Sequence, residues 1–104
     1  NCKLFYMSVN PINSVMITKA GKGARTEAQV REFNSKIRSG LSLNYKYIDT
    51  YSVLMKKGYG TNSSYSGTDA ASDDGLHYTT KTFKRIYYYC ITYLNTGSID
   101  ASIY

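Results

Sequence analysis

A chain of 104 residues is one domain at most. Its 42% hydrophobic and 19% charged content belongs to folded globular proteins rather than disordered ones, and no apolar run nears the roughly 20 residues that a membrane-spanning helix needs. The net charge of +6 would suit nucleic acid or an anionic surface, but the cations are scattered: Lys19, Lys22 and Arg25 near one loop, Lys56 and Lys57 at another, Lys81, Lys84 and Arg85 on a helix.

That scatter reads as a solvated surface. The twelve tyrosines raise the thought of base stacking. Tyr87, Tyr88 and Tyr89 are consecutive, however, and on a helix consecutive side chains point in different directions. No nucleic-acid partner is expected. The abundance of Tyr, Ser, Thr and Asn suits an extracellular or cell-surface bacterial protein.

In chain order, residues 3–9 are apolar and aromatic on both parities, which predicts a strand buried on both faces of a parallel sheet. The opening Asn1-Cys2-Lys3 runs straight into this strand, and the first Met is Met7, inside it. That opening predicts a segment cut from something longer, with part of any active site upstream. Asn10-Pro11-Ile12-Asn13 ends the strand, because proline cannot donate to a ladder. A polar loop through Gly21 and Gly23 follows. Thr26-Glu27-Ala28-Gln29 is a capping box, and Val30, Phe33, Ile37 and Leu41 then recur at helical spacing to about Gly40.

Tyr45–Asp49 reads as a second short strand and residues 50–57 as a helical turn or two. Strand, helix, strand makes a βαβ unit. Residues 58–76 form a long polar loop carrying Tyr59 and Tyr65. Thr79 or Thr80 caps a last helix whose Phe83, Ile86, Tyr87, Cys90, Ile91 and Leu94 share one face. The class is α/β with a parallel sheet. Two strands are few for such a sheet, which predicts a missing partner segment. Cys2 and Cys90 can pair only if the first strand lies against the last helix; otherwise they are two free thiols.

The chain has one histidine, His77, between the long loop and the last helix. Asp74 precedes it by three residues. A turn at Gly75 would let the carboxylate accept the imidazole Nδ1–H, fixing the tautomer and leaving Nε2 free to take a proton from a nucleophile. Asp69, Asp73, Asp74 and His77 could instead be hard metal ligands, but calcium loops lack His and zinc sites want more His or Cys. No metal or cofactor is expected. Asn10 and Asn13 lie where a pocket would form, yet Asn favours turns anyway. Arg25 and Lys22 at the same rim could meet an anionic substrate or simply be solvated. Asp49 could reach the pocket or cap a helix.

The run Asp74-Gly75-Leu76-His77-Tyr78-Thr79, followed by Phe83, Ile86 and Tyr87, resembles the last conserved block of the SGNH (GDSL-like) hydrolase family. Tyr6-Met7-Ser8-Val9-Asn10-Pro11 resembles the strand before that family's later active-site loop. The resemblance implies that residues 1–95 are the C-terminal portion of one SGNH hydrolase domain, a three-layer flavodoxin-like sandwich, with 96–104 a tail. It also implies a serine esterase in which His77 and Asp74 complete a Ser-His-Asp triad, acting on short acyl esters such as acetylated carbohydrate. The family's Gly-Asp-Ser motif and its oxyanion-hole Gly and Asn do not occur here, and Ser66 and Ser72 lie in no strand-to-helix turn. Nucleophile and oxyanion donors are therefore expected from an upstream N-terminal segment, and the chain alone is expected to be incomplete and inactive. The alternative is a carbohydrate-binding or structural module of the same fold, without catalysis.

Overall fold

A computed structural model describes residues 2–42, 44–60 and 74–102. The elements run β1 (Leu4–Met7), α1 (Ser14–Lys19), α2 (Glu27–Gly40), β2 (Tyr45–Ile48), α3 (Thr50–Lys56) and α4 (Thr80–Thr96). The chain is thus a small α/β protein. β1 and β2 pair in parallel, in register from Leu4 opposite Tyr45 to Met7 opposite Ile48. Parallel neighbours need a crossover, and α1 and α2 supply it. Tyr65, Ser66, Asp69, Ser72 and Asp73, named above, lie outside the described residues.

Local chemistry places the helix ends. Thr26 and Gln29 form the expected box, with Gln29 N–H donating to Thr26 Oγ1 (3.2 Å) and Thr26 N–H to Gln29 Oε1 (2.9 Å). Asp49 caps α3 by accepting from Ser52 N–H at 3.0 Å, and it faces Arg38 at 3.4 Å. Its role is the cap rather than the pocket. Thr79 caps α4, and Gly97 ends it at φ +79°, the left-handed position that glycine takes without steric cost.

α1 was not expected. It is six residues long, and Val15, Ile17 and Thr18 are β-branched and weak helix formers. It forms because Asn13 caps it, accepting from Met16 N–H at 3.1 Å, and because Ile17 is fully buried. Asn13 is turn chemistry, as its residue type favours, and the turn starts a helix.

One burial expectation fails, and the buried stripe of α4 differs from its apolar face. β1 was read as buried on both faces, yet Leu4 and Met7 remain 44% and 42% exposed. Among the described residues the sheet has two strands, and Leu4 and Met7, which point to opposite faces, are each left partly open. On α4 the buried stripe is Thr82, Ile86 and Tyr89, while Phe83 and Tyr87 are 54% and 69% exposed. The stripe is rotated because Tyr59 packs under the helix and its phenol pairs with the Thr82 hydroxyl at 3.0 Å. Leu54, Tyr59, Ile86 and Tyr89 make the buried cluster beneath α4, and Ile12, Ile17, Ile48 and Tyr51 are buried as well. The three consecutive tyrosines diverge: Tyr89 is buried, Tyr88 half-buried and Tyr87 exposed.

β1 does lie against α4, with Phe5 edge-on to Tyr93 and Met7 Sδ 3.6 Å from Cys90 Sγ. Cys2 and Cys90 are nevertheless both free thiols, and burial pushes the Cys90 thiol above its ordinary range.

Polar groups tie the strand ends to the helices. Tyr51 N–H donates to Ser8 Oγ (2.8 Å), Ser8 and Thr50 hydroxyls pair at 3.1 Å, and Thr50 donates to Asn10 Oδ1 (2.6 Å). Asn34, buried on α2, reads the backbone just past β1 with both ends of its amide. Val9 N–H donates to its Oδ1 at 2.9 Å, and its Nδ2 donates to Val9 C=O at 2.8 Å. An Asn34→Ala variant loses both bonds and leaves two backbone groups under-satisfied. It is expected to lose about 2–3 kcal/mol, read as a lower urea midpoint with an unchanged m-value.

Candidate active site: an Asp–His pair on an apolar groove

The site is built where β1 ends. Residues 10–13 leave the strand, and the segment carrying Asp74 and His77 is fastened to them twice. Asn13 N–H donates to Gly75 C=O at 3.0 Å. The Tyr78 hydroxyl donates to Pro11 C=O. Burial pushes the Tyr78 phenol well above its ordinary value, so it stays a donor at physiological pH.

Gly75 is required by this contact. Its φ is +75°, and a Cβ there would stand 2.5 Å from Asn13 O and 2.9 Å from Ile17 N. Only glycine lets the two backbones approach so closely.

Asp74 then holds its own turn. Its Oδ1 accepts from Leu76 N–H at 2.8 Å and from His77 N–H at 3.0 Å, an Asx-type arrangement. Its Oδ2 lies 2.5 Å from His77 Nδ1. The carboxylate is thus oriented by two backbone donors before it meets the imidazole. An Asp–His contact of this kind puts the proton on Nδ1 and leaves Nε2 the basic nitrogen. The Asp74 side chain is 18% exposed and that of His77 74% exposed, so solvent reaches the ring.

His77 stands on the rim of an open groove of about 540 Å³. Val9, Ile12, Val30, Phe33, Leu76 and Phe83 give it an apolar lining, with Arg25 and Gln29 among the polar residues. Such a groove lies beyond the carboxyl ends of the strands, where open α/β sheets bind ligands. Asn10 lines it too, but its Oδ1 accepts from Thr50. No serine lines it among the described residues. Among those same residues no cluster of potential metal ligands exists, and Asp69 and Asp73 fall outside them.

The periodicity of α2 and α4 placed Phe33 and Phe83 on apolar helix faces. In the structure both line the groove. An apolar face at helical spacing does not say whether protein or solvent will lie against it, so the sequence marked a pocket at the end of the first strand but not these two walls of it.

Among the described residues no helix is long and apolar enough to cross a membrane. Comparison of the chain with protein-family models, with curated proteins and with solved structures found no match.

Proposed function

We propose that this chain carries the His–Asp part of a serine ester hydrolase of the SGNH type, within a flavodoxin-like sandwich completed by further strands. The observation that carries the reading is the Asp74–His77 pair at 2.5 Å on the rim of an apolar groove at the strand ends. In the reaction, a serine hydroxyl attacks the ester carbonyl while His77 Nε2 takes its proton. His77 then returns that proton to the departing alkoxide, leaving an acyl-serine. Water, deprotonated by His77, releases the acid and restores the serine. Asp74 holds the ring and stabilises the imidazolium. Short acyl esters, acetylated carbohydrate among them, are the substrates the resemblance implies.

Serine and oxyanion donors come, in this reading, from a segment that joins the sheet beside β1. Support comes from the exposed Leu4, Phe5 and Met7, since parallel sheets are normally covered on both faces. A module that binds carbohydrate without catalysis is the second reading, favoured by the absence of serine among the described groove residues.

The test is intact-mass analysis after a fluorophosphonate serine probe, alongside turnover of an aryl acetate. A single adduct, on a serine that shares the groove with His77, is expected together with turnover. No adduct and no turnover from the full protein would remove the esterase assignment and leave the binding module.

A further inference from the structure

Two adjoining grooves share Arg25 and Thr26. The larger is the apolar one beside His77; the smaller is lined by Ser14, Val15, Thr18, Lys19 and Ala24. Among the described residues no acidic side chain lines either. Glu27, the acid nearest Arg25 in sequence, is engaged elsewhere: it accepts from the Tyr51 hydroxyl and faces Arg31 at 3.8 Å. Burial and the Glu27 carboxylate push the Tyr51 phenol up, so that bond persists at physiological pH. Arg25 and Lys19 have no carboxylate partner among the described residues. The surface therefore joins an apolar trough, lined in part by a histidine, to a basin bearing two cations and the hydroxyls of Ser14, Thr18 and Thr26.

From this juxtaposition we infer that the ligand is an anionic amphiphile: an aliphatic chain lying between Ile12, Val30, Phe33 and Phe83, and a phosphate or carboxylate held by Arg25 with Lys19. Where the esterase reading holds, on which this naming of the substrate class rests, the substrate is an aliphatic acyl ester with an anionic group on its alcohol side. The volume lies within the range of small-molecule sites, about 300–1,000 Å³, more than an acetyl group fills. A guanidinium pairs with phosphate or carboxylate through two parallel N–H donors, which a neutral head group cannot match.

The experiment is calorimetric titration of the full protein below micellar concentrations with octyl phosphate, with octyl glucoside as a neutral counterpart, and with inorganic phosphate. Octyl phosphate is expected to bind at least about tenfold more tightly than either. Shortening its chain should weaken it by about fourfold per methylene. In an Arg25→Gln variant the octyl phosphate to octyl glucoside ratio should fall toward one. Equal binding of the two amphiphiles, a ratio unmoved by Arg25→Gln, inorganic phosphate binding as tightly as octyl phosphate, or no binding at all would each overturn the inference. Decanoate in place of octyl phosphate separates a carboxylate from a phosphate preference. The titration needs no chemistry, so it separates the two readings. Selective binding without a fluorophosphonate adduct means a ligand site that does not hydrolyse. An adduct without selective binding means an esterase of another substrate class.

Discussion

A Gly75→Ala variant is expected to be destabilised by about 2–5 kcal/mol, the sum of a left-handed backbone penalty of about 1–2 kcal/mol and an overpacking cost of about 1–3 kcal/mol. The added Cβ would sit 2.5 Å from Asn13 O and 3.0 Å from Met16 Cβ, and neither backbone nor Cβ can swing aside as a side-chain tip can. Gly21 is the control. Its φ is +68°, but nothing lies within 4 Å of its would-be Cβ. Gly21→Ala should therefore show only the backbone part, about 1–2 kcal/mol. Urea denaturation of both variants measures the difference. Equal losses would mean that the segments do not approach closely in solution. The Asn13–Gly75 bond also positions Asp74 and His77, so any Gly75→Ala protein that does fold should lose the ordered Asp–His contact.

The second large effect belongs to the pair itself. In the intact protein, His77→Ala and Asp74→Asn are each expected to lower kcat/KM for an aryl acetate by on the order of 10³–10⁴-fold. Asp74→Asn is the more informative change. The asparagine carbonyl can still accept from Leu76 and His77 N–H, so the turn survives. Its amide would donate to Nδ1, which moves the imidazole proton to Nε2 and removes the base. An Asp74→Asn protein with wild-type thermal stability and lost turnover would separate orientation of the ring from folding. Undiminished turnover in either variant would sink the proposed mechanism. Stability should change little in both, because an ion pair with so exposed a histidine contributes little to folding.

Features whose causes lie within a few residues were legible before the structure. The Thr26–Gln29 box depends on near neighbours and forms where its residues predict; Thr79 is one of the two caps expected for α4, and capping was one of the two roles open to Asp49. The Asp74–His77 contact is of the same kind, three residues apart across a glycine turn. α1 escaped because its own residues disfavour a helix, and burial of Ile17 overrides them. The orientation of α4 escaped because Tyr59, 23 residues from Thr82 in sequence, decides which stripe faces inward.

By itself, then, the sequence determined the α/β class, the helix caps and a histidine with its carboxylate, since turns, caps and periodicity act through bonds and contacts a few residues long. Only the tertiary structure decided which apolar residues became core and which became groove, and that the Asp–His segment stands on residues 10–13. The reason is physical: an apolar side chain carries the same preference wherever it lies, and whether Phe33 meets protein or an open groove depends on which distant segments arrive beside it.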